Sequence, residues 1–167
     1  MILVLIYMFD LIVAHDNKKG IGKYGIIPWY YKDDLEHFKE TTLNSIVIMG
    51  RKTWESIPDK FKPLQNRINV VISRNNNISK YKDVYYYCSL DEALNHVIKF
   101  NKKIFIIGGS KLYNEAIKNN QCKNLIITRI NDEYSCDVFF PDYEKIWKEE
   151  KIIKKTKDFQ IIKYKKI

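Results

Sequence analysis

Short apolar runs recur along the chain at lengths typical of buried strands. We predict strands at residues 11–14, 46–49, 68–72, 84–87, 104–107 and 125–130. Between them we predict helices at 33–41, from Ser89 to about Phe100 and from Ser110 onward, with a helical turn at 53–57. Ser89 and Ser110 are the predicted N-caps of their helices. Strands that alternate with helices over short connections indicate a mostly parallel sheet.

The end of the chain has a different pattern. Residues 151–155 and 159–165 flank a polar turn at Lys157-Asp158, which predicts an antiparallel hairpin at one edge of the sheet. The expected fold class is therefore α/β: a three-layer sandwich with a mostly parallel central sheet, an antiparallel C-terminal edge hairpin and helices on both faces. A length of 167 residues fits a single domain over residues 1–167.

The charge and cysteine content exclude several classes of protein. The formal net charge is +9, mostly from lysine. A lysine-rich surface either binds nucleic acid nonspecifically or is only solvated, and we favour the second because no nucleic-acid recognition motif accompanies it. No apolar run approaches the roughly 20 residues that a membrane span needs. Three widely separated cysteines predict reduced thiols in a cytoplasmic compartment, without a disulfide framework or a metal site.

Three predicted strands end in residues suited to a phosphorylated ligand. These ends are Gly50-Arg51-Lys52-Thr53, Ser73-Arg74 and Gly108-Gly109-Ser110-Lys111. Ligands of open parallel sheets bind beyond the carboxyl ends of the strands, where glycine permits close approach and arginine binds phosphate. Together the three ends indicate a dinucleotide, although Ser110 alone is equally a plain N-cap and Arg74 alone a surface charge. These three strand ends do not form a G-x-G-x-x-G fingerprint, which disfavours an ordinary Rossmann domain.

A second candidate site contains Trp29, Asp34 and Phe38. Asp34 and Phe38 are four residues apart, so both project from one face of the predicted helix. An acid beside Phe38 is partly desolvated, which raises its pKa and suits it to orient a polar heterocycle and assist protonation. The alternative is that Asp34 only interacts favourably with the helix dipole.

The order of motifs resembles the dihydrofolate reductase family from about Phe9 to Tyr143. The matching segments are IVA at 12–14, KGIG at 19–22, PW at 28–29, DL…F at 34–38, IVIMGRKTWESI at 46–57, NVVISR at 69–74, IIGG…LY at 106–113 and CD…FFPDY at 136–143. The resemblance implies hydride transfer from NADPH to 7,8-dihydrofolate, which yields 5,6,7,8-tetrahydrofolate for one-carbon metabolism and thymidylate synthesis. It also implies binding of antifolate inhibitors.

The resemblance assigns roles to particular residues. Asp34, Thr128 and Trp29 are the expected catalytic group, and Asp34 holds the pterin and promotes its protonation. The expected substrate-binding residues are Val13, Ala14, Asp34, Phe38, Ile57, Leu64, Arg67 and Thr128, with Arg67 on the glutamate carboxylate. The expected NADPH-binding residues are Ala14, Ile21, Gly50, Arg51, Lys52, Thr53, Ser73, Arg74, Gly108, Gly109, Ser110, Lys111, Leu112 and Tyr113.

Finer expectations follow from the same resemblance. Arg51, Ser73 and Arg74 would hold the 2′-phosphate, and the Gly108-Gly109 bond is expected to be cis. Residues 16–27 would close over the nicotinamide, tied down by Asp137. Independently of the resemblance, the three histidines have no neighbours at spacings typical of a catalytic triad or a metal site, and we expect His37 to pair with Asp33 on the exposed helix face.

Three features depart from the family pattern. Residues 1–8 form an N-terminal extension, and we expect a chain that starts at Met8 to keep full activity. Tyr30-Tyr31-Lys32 replaces the usual Leu-Pro, with Tyr31 expected at the pocket edge, and the final hairpin is short. The competing hypotheses are a pyrimidine reductase of riboflavin synthesis, which lacks the Arg67 clamp, and a basic nucleic-acid-binding protein. We expect a cytoplasmic monomer with no specific nucleic-acid or membrane partner.

Overall fold

The computed structural model describes residues 7–75 and 80–167. Residues 1–6 of the expected extension, and most of the asparagine-rich loop predicted at 75–77, lie outside the described residues. Within the described residues the strands are β1 (Phe9–His15), β2 (Gly20–Gly22), β3 (Ile46–Gly50), β4 (Ile68–Ile72), β5 (Val84–Tyr87), β6 (Ile104–Ile106), β7 (Cys122–Ile130), β8 (Val138–Phe139), β9 (Trp147–Lys155) and β10 (Phe159–Lys166). The α-helices are α1 (Lys32–Thr42), α2 (Arg51–Ser56), α3 (Leu90–Val97) and α4 (Ser110–Ile117), and single 3₁₀ turns lie at Asp59–Phe61 and Ile98–Phe100.

The described residues form one large sheet of eight strands in the order β5-β4-β3-β6-β1-β7-β10-β9. The first six strands of that order pair in parallel, and β10 pairs antiparallel with both β7 and β9. The predicted mostly parallel sheet with an antiparallel C-terminal hairpin is therefore confirmed. The sequence reasoning did not predict β2 and β8, which form a separate two-stranded ribbon.

Helices cover both faces of the sheet, as predicted. On one face, α3 and α4 bury Leu90, Leu94 and Leu112 against side chains of the central strands such as Leu11 and Ile48. On the other face, Phe38 of α1 packs over β1, β7 and β10, and Trp54 of α2 packs over β3 and β4. Each fully buried large apolar side chain contributes about 1.5–3 kcal/mol to folding.

The ends of two helices show how far capping can be predicted. Ser89 is the N-cap of α3, and its hydroxyl accepts a hydrogen bond from the Glu92 backbone N–H at 3.1 Å. The prediction that Ser110 caps α4 is wrong. Extended backbone at Gly109 occupies the cap position, so Ser110 is already the first helical residue. In the same way α2 begins at Arg51, directly after β3, and not at Thr53.

In the described part of the chain, no helix combines the length and the hydropathy needed to cross a membrane.

The edge of the sheet formed by β9 is rich in exposed lysines. Every residue of β9 after Trp147 is exposed, and these residues include Lys148, Lys151, Lys154 and Lys155.

Candidate active site

A short hydrogen bond joins a carboxylate of α1 to the end of β7. Thr128 donates its hydroxyl proton to Asp34 Oδ1 at 2.6 Å. Thr128 is buried, and Asp34 lies in the first turn of α1. Burial raises the pKa of Asp34, and the bond from Thr128 and the nearby His37 imidazole only partly offset that rise. The acid therefore has the desolvated environment that the sequence predicted.

Apolar and aromatic side chains surround this acid on one face of the sheet. Ala14, Trp29 and Phe38 all pack against the cluster that contains Ile12 and Phe105. The Trp29 ring lies 5.2 Å from the ring of Tyr134, between centroids. The predicted residues Ala14, Trp29, Asp34, Phe38 and Thr128 are thus brought together.

The side chain of Val13 lies elsewhere. Alternation along β1 directs Val13 into the core beneath α3 and α4, while Ile12 and Ala14 project to the face of α1. Among the described residues, Ile12 is therefore the β1 side chain beside Ala14 that the sequence reasoning missed. Because side chains two residues apart in a strand share a face, placing Ala14 in the pocket would also have placed Ile12 there.

Ile57 and Leu64 lie on the α2 side of the same face, and Arg67 lies beside α1. Ile57 and Leu64 pack against the cluster that contains Trp54. Arg67 donates from Nη1 to the Thr42 hydroxyl at 3.2 Å and from Nε to a backbone carbonyl at 2.9 Å. Its guanidinium carbon also lies 5.9 Å from the centre of the Phe38 ring. The contacts leave Nη2 without a hydrogen bond in the described residues and hold the guanidinium beside α1.

These two groups of residues adjoin above the middle of the sheet. The α1 cluster lies over β1, β7 and β10, and the α2 cluster lies over β3 and β4. Ile107, which follows β6, contacts both clusters. This face therefore carries Asp34 and Arg67 on its α1 side and Leu64 on its α2 side.

The glycines that follow β3 and β6 meet at the carboxyl edge of the sheet. Gly50 donates its backbone N–H to Gly108 O at 2.8 Å. The Gly108-Gly109 bond is cis, as the resemblance implied, and Gly108 has a φ of +126° that favours glycine. A Cβ atom at Gly109 would lie 3.1 Å from the Thr53 hydroxyl. The four residues form a tight backbone cradle beside the N-terminus of α4.

Tyr113 connects this cradle to the strand that carries Ala14. Its hydroxyl donates to Ile12 O at 2.7 Å, and a Cβ atom at Gly108 would lie 3.4 Å from the Tyr113 ring. Burial raises the pKa of Tyr113, so it stays a neutral donor. Leu112 is buried in the core, Ser110 is partly buried beside Phe139, and Lys111 is exposed.

The basic residues predicted to bind phosphate lie around the same edge. Arg51 pairs with Glu55 of its own helix, with Nη1 at 3.0 Å from Oε1. Lys52 and Arg74 are exposed, and Ser73 accepts the backbone N–H of Asn75 at 3.1 Å. Arg51 and Arg74 therefore keep most of their donors toward solvent, beside the ends of β3 and β4.

The glycine-rich loop, residues 16–27, is held by the segment before β8. Asp16 accepts backbone N–H bonds from Lys18, Gly20 and Tyr134 at 2.7–3.0 Å. Burial opposes ionisation of Asp16, yet these three donors hold its pKa below the usual range. Asp137 accepts a hydrogen bond from the Tyr24 backbone N–H at 3.0 Å, which agrees with the expected contact between Asp137 and this loop.

Sequence reasoning missed Asp16, although an aspartate before a glycine turn is a recognisable signal. Ile21, in β2, is half-buried against the core. The hydroxyl of Tyr31 bonds to that of Tyr134 at 2.5 Å, and its ring contacts Phe159. Tyr31 thus belongs to the cluster under α1 and links the start of α1 to the segment that holds the glycine-rich loop.

The expected pair of His37 and Asp33 is not formed. Asp33 lies 3.8 Å from Lys154 Nζ, whereas His37 is half-buried with Nδ1 at 3.4 Å from the Thr41 hydroxyl. The prediction was wrong because burial lowers the pKa of His37 and a lysine of the hairpin supplies the cation for Asp33.

Comparison with known proteins assigns the family. The family model of dihydrofolate reductase matches residues 8–166. The chain belongs to the dihydrofolate reductase family. It is 37% identical over 166 residues to a dihydrofolate reductase of Pneumocystis carinii, across 84% of this chain and 80% of that protein. Identity to a dihydrofolate reductase of Heliothis virescens is 35% over 148 residues, across 81% of this chain and 80% of that protein.

A longer relative also matches. The chain is 39% identical over 147 residues to bifunctional dihydrofolate reductase-thymidylate synthase 2 of Arabidopsis thaliana. That match covers 80% of this chain and 26% of the longer protein.

Membership of the dihydrofolate reductase family makes the protein an oxidoreductase that reduces dihydrofolate with a nicotinamide cofactor. The residues at the carboxyl edge fit such a cofactor, because a side chain at Gly109 would crowd Thr53 and fill the cradle. The N-terminus of α4 lies beside the cradle, and free backbone N–H groups at a helix N-terminus suit an anionic group.

Proposed function

We propose that the protein reduces 7,8-dihydrofolate to 5,6,7,8-tetrahydrofolate with NADPH and so sustains one-carbon metabolism and thymidylate synthesis. The observation that carries this proposal is the 2.6 Å bond from Thr128 to a half-buried Asp34 on the face of the sheet that α1 covers. The bound cofactor supplies a hydride to C6 of the pterin, and a proton goes to N5.

Asp34 orients the pterin. Its carboxylate accepts hydrogen bonds from the ring N3–H and the adjacent amino group, while Thr128 fixes the rotation of the carboxylate. Such a paired, charge-assisted contact is about twice as strong as a neutral hydrogen bond. Burial keeps the pKa of Asp34 raised, which brings it closer to working pH and favours proton delivery toward N5. Trp29 covers this end of the space.

The rest of the substrate lies along the gap toward α2. Phe38, Ile57 and Leu64 provide apolar walls for the benzoyl ring. Arg67 binds the glutamate α-carboxylate, since its forked donors match two carboxylate oxygens. Its existing bonds to Thr42 and Gln65 support this role because they hold the guanidinium in place before substrate arrives. Antifolates that copy the pterin and benzoyl groups occupy the same gap.

The nicotinamide cofactor lies along the carboxyl edge. The cradle of Gly50, Thr53, Gly108 and Gly109 accommodates the pyrophosphate, and Ala14, Ile21 and Tyr113 flank the nicotinamide. Arg51, Ser73 and Arg74 select NADPH through its 2′-phosphate. Their position beside the ends of β3 and β4, with Arg74 exposed, supports this assignment.

The glycine-rich loop excludes water from the reacting atoms. Asp16 and Asp137 attach the loop to the 131–140 segment, which is the arrangement that closure requires. We also propose that residues 1–167 act as one domain with an N-terminal extension over residues 1–8. The protein works as a cytoplasmic monomer without a specific nucleic-acid partner or membrane.

The experiment that tests the function is NADPH oxidation by purified protein with and without 7,8-dihydrofolate, beside the Asp34→Asn variant. We expect dihydrofolate-dependent oxidation that collapses in the variant. Oxidation that is equal in the variant would remove Asp34 from the mechanism. NADPH binding without dihydrofolate-dependent turnover would instead favour a pyrimidine substrate.

A further inference from the structure

The first turn of α1 begins without a side-chain cap of its own. Tyr31 occupies the N-cap position with extended backbone, and within the described residues its side chain accepts no hydrogen bond from the helix. Serine, threonine, aspartate and asparagine are the residues that usually fix a helix start in this way. The carbonyl of Tyr31 accepts a hydrogen bond from the Asp34 backbone N–H at 3.1 Å. The placement of Asp34 therefore depends on what holds Tyr31.

Tyr31 is held by a tyrosine from a distant segment. The hydroxyls of Tyr31 and Tyr134 share a hydrogen bond, with 2.5 Å between the two oxygens. The Tyr31 ring also meets the ring of Phe159 edge-on, with 5.8 Å between centroids. Both tyrosines are half-buried, and a hydrogen bond that is partly shielded from water is stronger than an exposed one. The hydroxyl pair therefore gives the start of α1 the support that a local cap would provide.

Tyr134 also holds the glycine-rich loop. Its backbone N–H donates to Asp16 Oδ2 at 3.0 Å. Asp16 Oδ1 accepts the Gly20 backbone N–H at 2.7 Å, so one carboxylate joins the 131–140 segment to the first turn of the loop. The ring of Tyr134 lies beside Trp29, which follows the last residues of the loop. Tyr134 therefore makes contacts near both ends of the glycine-rich loop.

These contacts form a connected series from the acid to the loop. The series runs from the Asp34 N–H to the Tyr31 carbonyl and then across the two hydroxyls. From Tyr134 it continues through the backbone N–H to Asp16. Each bond has an ordinary hydrogen-bond length. Of these three bonds, the hydroxyl pair is the one made by side chains alone, so substitution can remove it while the backbone bonds on either side keep their donors and acceptors.

We propose that the hydroxyl pair of Tyr31 and Tyr134 positions the acid of α1 and the glycine-rich loop relative to each other. Both tyrosines are positioning residues, since they act through Asp34 and Asp16. This inference rests on the proposed roles of Asp34 in pterin binding and of the loop in closure. With the pair intact, the pterin and the closed loop meet in a fixed geometry, and small losses of orientation are costly to catalysis.

The first test examines the loop without turnover. Tyr31→Phe removes one hydroxyl of the pair and keeps the ring, and amide hydrogen exchange followed by mass spectrometry reports on residues 16–22. We expect exchange there to become about two- to tenfold faster, the range that the loss of one hydrogen bond predicts. The hydroxyl that is removed bonds to Tyr134 and not to the loop, so the effect must pass through the pair.

Two references make this result specific. Tyr30 is exposed and precedes Tyr31, so Tyr30→Phe is the matched control and is expected to leave exchange unchanged. Exchange in α3, which packs on the opposite face of the sheet, is expected to stay the same in every variant. Unchanged exchange at residues 16–22 in Tyr31→Phe would overturn the proposal. Acceleration of equal size in α3 would also overturn it, because it would show a general loss of stability.

The second test is a double-mutant cycle in turnover. Tyr31→Phe and Tyr134→Phe break the same bond, so we expect kcat to fall by about two- to tenfold in each, with little change in KM for dihydrofolate. The double variant is expected to fall no further than the single variants, since one bond is shared. Effects that multiply in the double variant would contradict the pair. Absence of turnover in the wild type would count against the proposed function, while hydrogen exchange still decides whether the pair holds the loop.

Discussion

The Thr128 hydroxyl and the Asp34 carboxylate meet at 2.6 Å although α1 and β7 are far apart in sequence. The pair exists because β1 and β7 are adjacent, which brings the end of β7 beneath the first turn of α1. A hydroxyl from a rigid strand thereby orients an acid from a helix.

Thr128→Val removes this hydroxyl and keeps the shape of the side chain. We expect the midpoint of the pH profile to move to higher pH, because one of the groups that opposes the raised pKa of Asp34 is lost. A hydrogen bond to a charged group contributes about 1.5–3 kcal/mol, so kcat/KM falls by about tenfold or more. Steady-state kinetics across pH measure both effects. Thr128→Ser retains the hydroxyl and is expected to retain the profile; an equal shift in both variants would contradict this role.

Arg67→Leu tests the carboxylate clamp. We expect weaker dihydrofolate binding and unchanged NADPH binding, since Arg67 lies beside Phe38 and away from the glycine cradle. Calorimetric titration of each ligand measures the two affinities. Arg67→Lys preserves the charge and loses the forked geometry. Its affinity for dihydrofolate is therefore expected to lie between those of the wild type and Arg67→Leu. Equal weakening of both ligands would show that Arg67 has another role.

Arg51→Ala combined with Arg74→Ala tests the choice of cofactor. Each lost charge-assisted bond costs about 1.5–3 kcal/mol, so the preference for NADPH over NADH falls by roughly a hundredfold or more. The measurement is kcat/KM with each cofactor. Glu55→Gln is the matched control, because it releases Arg51 from its 3.0 Å ion pair and is expected to keep or increase the preference. The assignment is falsified if the double variant keeps the wild-type preference.

Gly20→Ala tests the packing of the glycine-rich loop. A Cβ atom at Gly20 would overlap the Cys136 side chain, 2.6 Å from its Sγ, and would lie 2.9 Å from Asp16 Oδ2. We expect kcat to fall by about tenfold or more, because small displacements of a closing loop are costly to catalysis. Gly22→Ala is the control, since its nearest neighbour lies at 3.5 Å. Adding Cys136→Gly to Gly20→Ala restores activity, and failure of that rescue would mean that another contact is responsible.

The pH dependence of stability reports in part on His15, because burial lowers the pKa of His37 as well and adds a dependence of the same sign. Burial lowers its pKa, while Nε2 and the Tyr143 hydroxyl bond at 2.9 Å. The unfolded chain therefore binds more protons at pH values below about 6.5, and stability falls as pH drops through that range. His15→Phe is expected to lower stability at pH 7.5 and to flatten its dependence between about pH 5 and 7. Urea unfolding measures this, with His96→Phe as the control. A dependence as steep as that of the wild type would exclude His15 as its source.

Much of the fold was predictable because local patterns determined it. Buried strands such as Ile46–Gly50 are continuous apolar runs, and Ser89 caps α3 with its own side chain. The start of α4 was not predictable, since it depends on the backbone path through Gly108 and Gly109. The two-stranded ribbon of β2 and β8 was missed because its strands are three and two residues long, too short for a periodic signal.

The candidate site was likewise predictable only where local sequence patterns determined it. Asp34, Phe38 and the glycine cradle lie in motifs whose spacing is visible in the sequence. The contacts of Tyr134 and the burial of His37 could not be predicted from the sequence, because they depend on how distant segments pack together. Alternation along β1 separates the side chains of Val13 and Ile12, a distinction that a motif match alone does not make.

The composition of β9 has a consequence for how copies of the protein meet. In the sheet formed by the described residues, β9 is the last strand, so one side of its backbone is a template for another strand. The strand carries Lys148, Lys151, Lys154 and Lys155 against Glu149 and Glu150, so a second copy that paired there would meet a strand of the same net positive charge. This repulsion discourages aggregation through the open edge. The net positive charge of β9 therefore acts against self-association at this edge of the sheet.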